Sequence, residues 1–179
     1  MSFPLRKPDH DGAEAPGLEI VSAGRSHAIG TWQNVVIAVW STAMDFDDVE
    51  RLDAALEGHL FWRREVALIQ VIEETAEASN ASVRRGLARL LTRHAAKIPC
   101  SAFIVGGTGF HAAAARAIIT SVALVSKARF PQVVLSNPMA AANWVDRHLN
   151  SDAQLPRAAA LGAAIERVRL AALVEPGSH

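Results

Sequence analysis

The chain has 179 residues, of which 50% are hydrophobic and 20% charged, and its formal net charge is zero. This composition is typical of one soluble globular domain, and a neutral chain has no overall field that would attract nucleic acid or acidic lipid. The single cysteine, Cys100, excludes both an internal disulfide and a zinc site built from cysteines.

The N-terminal residues 1–17 contain three prolines and several charges, which predicts a flexible tail. They lack the apolar stretch of a signal peptide, and the most hydrophobic run of the chain, residues 112–126, is too short to span a bilayer. We therefore expect a cytoplasmic protein with no transmembrane segment.

Apolar runs predict five strands, at residues 18–24, 33–41, 65–73, 101–107 and 132–136. The short link between the first two, residues 25–32, predicts that they pair as an antiparallel hairpin. The second run is apolar throughout, which is typical of a central strand that is covered on both faces.

Helices are predicted after the second, third, fourth and fifth of these strands. The first helix begins at the N-cap Asp45, and its apolar stripe is expected to face the sheet. That stripe consists of Phe46, Val49, Leu52, Leu56 and Leu60. The second helix is capped by Ser79 or Asn80 and ends before Pro99.

The third predicted helix, residues 108–127, is apolar nearly all round, which indicates burial within the domain or in a subunit interface. A fourth helix begins after Asn137, with Pro138 in its first turn. The last helix is amphipathic and lies within residues 151–179. Its apolar seam consists of Leu161, Ile165, Val168 and Ala172.

This order of elements predicts an α/β fold. A mixed sheet of about five strands begins with an antiparallel hairpin and continues with β-α units whose strands are parallel, because crossovers are right-handed. Helices pack on the sheet. Residues 18–150 form the α/β domain, and residues 151–179 add a C-terminal amphipathic helix and tail.

A glycine-rich bend follows the fourth predicted strand, in the sequence "GTGFHA" at residues 107–112. It matches a dinucleotide-binding pattern in which backbone N–H groups hold an anion, but no P-loop lysine follows it. A tight turn that lets the helix pack closely on the sheet explains the glycines as well. The candidate ligand-binding residues at these strand ends are Glu73, Gly107, Thr108, Gly109 and His111.

Basic residues recur every four positions along the second predicted helix, at Arg85, Arg89, Arg93 and Lys97. A solvated helix face explains them, and the alternative is docking of an acidic partner protein, anionic lipid or nucleic acid. No aromatic residues are interleaved, so we expect no nucleic-acid binding. Peripheral membrane contact has no other support in the sequence.

No nucleophile elbow and no pair of histidines at metal-binding helical spacing occur in the chain. The sequence therefore predicts no catalytic residue, no metal site and no cofactor. Histidines that converge from distant segments are beyond what sequence spacing reveals.

Three segments, "NVVIAVWSTAMDFDDVERLDAAL", "IVGGTGFHAAAARAIITSVALV" and "FPQVVLSNPMAAANWVDRHL", together with "ALIQVIE", resemble strand–helix units of the STAS domain and its SpoIIAA-like relatives. The resemblance covers roughly residues 18–150 and extends to uncharacterised bacterial members. It implies a module that binds proteins and sometimes nucleotides or lipids. Relatives that antagonise anti-sigma factors carry a phosphorylated serine after the third strand. Here Ser79 and Ser82 are the nearest candidates, and the usual aspartate–serine pair is missing.

Two interpretations of function remain open. The first is a non-enzymatic STAS-like protein-interaction or regulatory module that binds a protein partner or itself, as a homodimer, through the third or the terminal helix. The alternative is a small-ligand or anion-binding domain, with or without enzymatic activity, at the strand C-terminal ends around the glycine bend 106–109.

Overall fold

The computed structural model describes residues 17–126, 129–149 and 157–173. One six-stranded sheet runs through the described part of the chain, with its strands side by side in chain order. The strands are β1 (Leu18–Ala23), β2 (His27–Trp32), β3 (Val35–Trp40), β4 (Ala67–Ile72), β5 (Ser101–Val105) and β6 (Gln132–Leu135). The helices are α1 (Phe46–Trp62), α2 (Ala81–His94), α3 (Phe110–Ser126), α4 (Pro138–Leu149) and α5 (Ala158–Leu173).

The predicted mixed α/β fold is confirmed. Strands β1 to β3 are antiparallel, and β3 to β6 are parallel. The sheet has six strands rather than about five. The predicted tail lies outside the described residues, apart from Gly17, and the division of the chain at residue 150 stays a prediction.

The additional strand is β2, and the prediction that residues 25–32 form a link was wrong. β2 lies between β1 and β3, so these two do not pair with each other. Its sequence "HAIGTW" combines two polar residues with Gly30, which hides the strand pattern. Gly30 is required because a Cβ there would lie 2.8 Å from Cγ2 of Val168 in α5. A close approach by a helix explains this glycine.

Right-handed crossovers between neighbouring parallel strands place α1, α2 and α3 on one face of the sheet. Val36, Trp40 and Leu68 belong to the core beneath α1 and α2. Alternate residues such as Ile37 and Ile69 belong to the opposite core, beneath α4 and α5. The sheet is therefore the middle layer of three, which explains why its central strands are apolar throughout.

The predicted N-cap of α1 is confirmed. The side chain of Asp45 accepts from the backbone N–H of Asp48, and the side chain of Asp48 accepts from the backbone N–H of Asp45. These two hydrogen bonds form a capping box. Four of the five predicted inward-facing residues of α1 are buried, but Phe46 at its first position is 47% exposed. Of the two candidate caps of α2, Asn80 is the one observed.

The predicted seam of α5 is confirmed, because all four of its residues are buried in the core against the sheet. Of the two locations predicted for α3, burial within the domain holds for one face of the helix, and a subunit interface stays a prediction. Ala112, Ile119 and Val122 face inward, whereas Ala117 and Leu124 lie on an outer face that no element of the described chain covers, and Leu124 is 75% exposed. Among the described residues, no helix combines the length and the apolar content that crossing a membrane requires.

Candidate functional site

An apolar cavity of about 100 Å³ lies between the sheet and the helices α2 and α3. The sheet contributes Trp40, Gln70 and Phe103, and α2 contributes Leu87 and Leu91. The inner face of α3 closes the cavity with Ala114, Ala115, Ile118, Ile119 and Val122. One face of the apolar helix therefore lines a cavity instead of packing tightly on the strands.

A single amide group interrupts the apolar lining from the sheet side. Gln70 is only 2% exposed, and its Oε1 accepts a hydrogen bond of 3.1 Å from Nε1 of Trp40. An indole N–H only donates, so this contact assigns the carbonyl oxygen of Gln70 to the side of Trp40 and leaves the NH₂ group as a donor on a residue that lines the cavity. No residue in the described part of the chain accepts from that NH₂ group.

The loop that follows β4 forms the rim of the cavity through residues 76–79. Of the described residues that line the cavity, Glu77 is the one that carries a charge. Within the described part of the chain, no lysine or arginine lines it. The cavity therefore offers the amide of Gln70 amid apolar surface, with the hydroxyl-bearing Thr42 and Ser79 also in its lining, and no described cation for an anionic ligand.

The glycine bend lies beside this cavity, at the carboxyl ends of β4 and β5. Gly107 and Gly109 have φ angles of 71° and 84°, which only glycine adopts readily, whereas Gly106 has no positive φ. A Cβ at Gly107 would lie 2.6 Å from Oε1 of Glu74, the end of an exposed and flexible side chain. The turn therefore needs glycine for its dihedral angles.

Glu73, predicted as a ligand-binding residue, is engaged by α5. Nε and Nη2 of Arg169 donate to its two carboxylate oxygens at 2.6 and 2.9 Å. The hydrogen bond to Glu73 raises the pKa of Arg169 further, against the opposing effect of its burial. Anion binding at the bend stays a prediction, and the two carboxylates of Glu73 and Glu74 oppose it electrostatically.

The other candidates at the bend are only partly placed. Thr108 is exposed and lines a second cavity, at the bend, whose volume is about 130 Å³. His111 lies in the first turn of α3, and its side chain is outside the described part of the structure.

The candidate phosphorylation sites lie at the start of α2. Ser79 is half-buried on the cavity rim, and its carbonyl accepts from Arg84. Ser82 is exposed, and its hydroxyl donates to the capping oxygen of Asn80 at 2.6 Å. Phosphorylation of either serine stays a prediction.

The predicted basic ridge is shorter than expected, because α2 ends at His94 and Lys97 lies beyond it. Arg85 and Arg89 are exposed, and Arg93 forms ion pairs with Asp53 and Glu57 of α1. Within the described residues, Arg85 and Arg89 are therefore the basic groups on this face of α2 that do not contact a carboxylate. Partner binding there stays a prediction.

One cluster has the donor set of a cation site, although the sequence predicts no metal. Asp53, Glu57 and His94 place one ligand atom each within 4.8 Å of one another. Nε2 of the buried His94 lies 2.7 Å from Oδ1 of Asp53. Arg93 already supplies a positive charge to both carboxylates, so a packing role explains the cluster.

A second polar cluster was missed by sequence reasoning. Nε2 of the buried His27 lies 2.8 Å from Oγ of Ser22, and Nδ1 lies 3.1 Å from Oδ1 of Asp48. Asp48 is fully buried and also accepts from Ser26 and Arg51, both at 3.2 Å. The hairpin between β1 and β2 and the start of α1 bring these groups together.

Burial lowers the pKa of His27, while nearby Asp48 raises it to a smaller extent. Burial also lowers the pKa of His59, against the hydrogen bond to the carbonyl of Gln33. Folding therefore favours the neutral imidazoles, and the unfolded chain binds more protons once the pH falls below the ordinary value of 6.5. We expect the free energy of unfolding to be level above pH 7 with respect to these groups and to fall as the pH drops below 6.5.

Urea unfolding at pH 7.5, 6.5 and 5.5 measures this dependence. The double variant His27→Gln, His59→Gln should lose part of the slope between pH 6.5 and 5.5. The matched control His148→Gln, at an exposed position, should retain it. Stability that rises as the pH falls through this window would contradict the assignment.

The single cysteine, Cys100, is fully buried. Burial raises the pKa of the Cys100 thiol to about 12, with a smaller contribution from Glu65. The reactive thiolate is therefore scarce at neutral pH.

No protein-family model and no curated protein sequence matches the chain. Among solved structures, it is similar to an uncharacterized protein of the DUF3478 family from Shewanella loihica PV-4, which is described as having a SpoIIAA-like fold. The two share 14% sequence identity, with a TM-score of 0.48 over 75% of this chain and 98% of the other. That fold is the one the sequence resemblance implies. A likeness at this level says nothing about ligands, activity or partners.

Proposed function

We propose that the chain is a STAS-like binding module whose ligand is a small, neutral, largely apolar molecule with one hydrogen-bond acceptor. The observation that carries this proposal is the amide of Gln70, which lines the apolar cavity and whose Nε2 has no acceptor among the described residues. A ligand oxygen that accepts from this group would form a hydrogen bond worth about 0.5–1.5 kcal/mol.

The size of the cavity limits the ligand. An apolar cavity of about 150 Å³ accommodates benzene. The volume of about 100 Å³ observed here is about two thirds of that and therefore holds about four non-hydrogen atoms, with the remainder of a slightly larger ligand at the rim. Cyclopentanone, which has six non-hydrogen atoms and one carbonyl oxygen, would fill the cavity and reach its rim, which makes it a suitable probe.

The lining also selects for a neutral ligand. A carboxylate in the cavity would have no cationic partner among the described lining residues, and it would approach Glu77 at the rim. Burying an unpaired charge is far more costly than burying a carbonyl group. We therefore expect cyclopentanone to bind and cyclopentanecarboxylate to be excluded.

Filling the cavity tests the proposal. Ala114 lines the cavity and Ala113 is the adjacent, exposed residue of α3, so Ala114→Phe and Ala113→Phe form a matched pair. We expect cyclopentanone to bind the wild type and Ala113→Phe weakly, with a Kd of about 1 mM, because a ligand with so few atoms makes few contacts. Binding should be lost in Ala114→Phe. Equal affinity in both variants, or no binding to the wild type, would refute the proposal.

We further propose that the chain associates with a protein partner, in the simplest case a second copy, through the outer face of α3. The observation that favours this is the exposure of Ala113, Ala117 and Leu124 on a helix face without an opposing element in the described chain. Sedimentation velocity should show a dimer that Leu124→Glu dissociates. Leu170→Glu on the exposed side of α5 should leave it intact. A wild type that stays monomeric at high concentration would refute the homodimer.

A further inference from the structure

Beyond ligand binding, we propose that Ser22 is a nucleophile that His27 and Asp48 activate for attack on an acyl ester. The distances of 2.8 Å from Ser22 Oγ to His27 Nε2 and of 3.1 Å from His27 Nδ1 to Asp48 Oδ1 carry the proposal. They place a hydroxyl, an imidazole and a buried carboxylate in the order that activated serine nucleophiles require.

The surroundings of His27 fix the roles of its two nitrogens. Nδ1 forms its hydrogen bond with the hydroxyl of Ser26, which donates its own proton to the carboxylate of Asp48, and that carboxylate lies 3.1 Å from Nδ1 as an ionic contact. Because the Ser26 proton is directed to Asp48, the Ser26 oxygen accepts from the ring, so the proton of the neutral ring belongs on Nδ1. Nε2 then carries the lone pair and accepts from the hydroxyl of Ser22. This is the tautomer that a general base needs.

Asp48 is held in place more firmly than a cap requires. Its Oδ2 accepts from the backbone N–H of Asp45 at 3.1 Å, and its Oδ1 accepts from Ser26 and from Nη1 of Arg51. These donors and the N-terminus of α1 stabilise the ionised carboxylate at a fully buried position. A fixed negative charge beside Nδ1 would stabilise the imidazolium that forms when Ser22 loses its proton.

Ser22 is accessible from outside the sheet. It is half-buried on β1, the edge strand, directly after a β-bulge between Ile20 and Ser22. The N–H of Gly24 donates to His27, so the alternation of antiparallel strands turns the N–H of Ala23 away from β2. The N–H of the residue after a nucleophile is a common oxyanion donor. The exposed Ile20 and Val21 offer apolar surface for an acyl group.

The reaction balances with water as the co-reactant. Oγ of Ser22 bonds to the carbonyl carbon of the ester, and its proton moves to Nε2 of His27. When the ester C–O bond breaks, the departing alkoxide takes that proton and leaves as an alcohol. Water, deprotonated by His27, then cleaves the acyl–serine ester, which releases a carboxylic acid and restores the hydroxyl of Ser22. The net reaction converts ester and water to acid and alcohol.

Burial that keeps His27 neutral near pH 7 supports a role as base. The groups that act on the ring are the carboxylates of Asp45 and Asp48 and the guanidinium of Arg51, all from the start of α1 and its cap. Trp40 of β3 contributes an uncharged ring at a centroid distance of 6.2 Å.

Covalent labelling of the full chain with an alkyl fluorophosphonate tests this inference. The serine oxygen displaces fluoride from phosphorus, and the adduct is located by peptide mass spectrometry. We expect one adduct on Ser22 of the wild type, none on Ser22→Ala, and an unchanged adduct in the control Ser82→Ala. His27→Gln should slow labelling by about 100-fold or more. The labelling rate of the wild type should fall as His27 is protonated.

The readouts are independent of the ligand cavity, so this inference and the proposed function can fail separately. If His27→Gln does not fold, the pH profile of labelling in the wild type replaces it. Hydrolysis of 4-nitrophenyl acetate that is lost in Ser22→Ala would extend the result from labelling to turnover. Labelling that spares Ser22, or labelling of Ser22 at a rate that does not change with the protonation of His27, would overturn the proposal.

Discussion

Replacing Ile165 with alanine is expected to lower the free energy of unfolding by about 2–5 kcal/mol. Ile165 is fully buried in α5, where the seam of this helix packs on the sheet. Truncation removes three methyl or methylene groups from a close-packed core and leaves a cavity that the surrounding strands fill only in part. Urea unfolding of the full chain measures the difference.

Leu170→Ala is the matched control, because Leu170 lies on the same helix and is 60% exposed. Its effect should stay within about 0.5 kcal/mol. Similar losses from both variants, or a negligible loss from Ile165→Ala, would mean that α5 does not complete the core of the sheet. The expected contrast would show that the C-terminal helix is part of the fold and not an appendage to it.

Replacing Asp48 with alanine is expected to cost about 1–3 kcal/mol of stability, because removing a buried acceptor leaves its donors unsatisfied. Asp48 is fully buried, and its carboxylate accepts from Ser26, Arg51 and the backbone of Asp45. Without it, these three donors lose their acceptor, and half of the capping box of α1 disappears.

The neighbouring Asp47→Ala serves as the control for this variant. Asp47 occupies the same first turn of α1 but is exposed. It should lose only its interaction with the helix dipole, about 0.3–1 kcal/mol. Thermal and urea unfolding of both variants at pH 7.5 separates the two effects. An Asp48→Ala protein as stable as Asp47→Ala would contradict the network that links α1 to the first hairpin.

Much of the architecture follows from local sequence. The apolar runs that became β3 and β4 are buried on both faces, and nothing but a central strand accommodates such runs at this length. Asp45 marks the start of α1 because its side chain accepts a hydrogen bond from the first turn, where the backbone N–H groups have no acceptor within the helix. The apolar residues of the α5 seam recur with a helical period, and the sheet covers the face that they form.

β2 was missed because its composition is set by tertiary neighbours. Gly30 makes room for Val168, and His27 reaches Asp48, so neither residue contributes to a strand pattern. Phe46 shows the reverse error, since helical spacing places it on the inner stripe although 47% of it stays exposed at the first position of α1. Hydrophobic periodicity identifies the apolar face of a helix or strand, whereas how much of that face is buried depends on the packing of the whole chain.

The candidate site was beyond local pattern for the same reason. The cavity is assembled from β3, β4, β5, α2 and α3, which lie far apart in sequence. The one local indication was Gln70, a lone amide within the apolar run "ALIQVI". A buried polar residue in a central strand requires a partner, and Trp40 satisfies only its carbonyl oxygen. The cluster of Ser22, His27 and Asp48 has even less indication in the local sequence, because Ser22 and His27 meet only across a hairpin turn.

The most direct measurement of the central claim follows the side-chain amide of Gln70 by ¹H–¹⁵N NMR during titration with cyclopentanone up to about 10 mM, well above the Kd expected for so small a ligand. A carbonyl oxygen in the cavity should shift the Nε2 protons of Gln70 more than those of Gln33 and Gln132, which lie outside its lining. Replacing Gln70 with leucine should weaken cyclopentanone binding by roughly fivefold, the worth of one hydrogen bond. A Gln70 amide that does not respond, while the ligand shifts other resonances or none, would contradict the account.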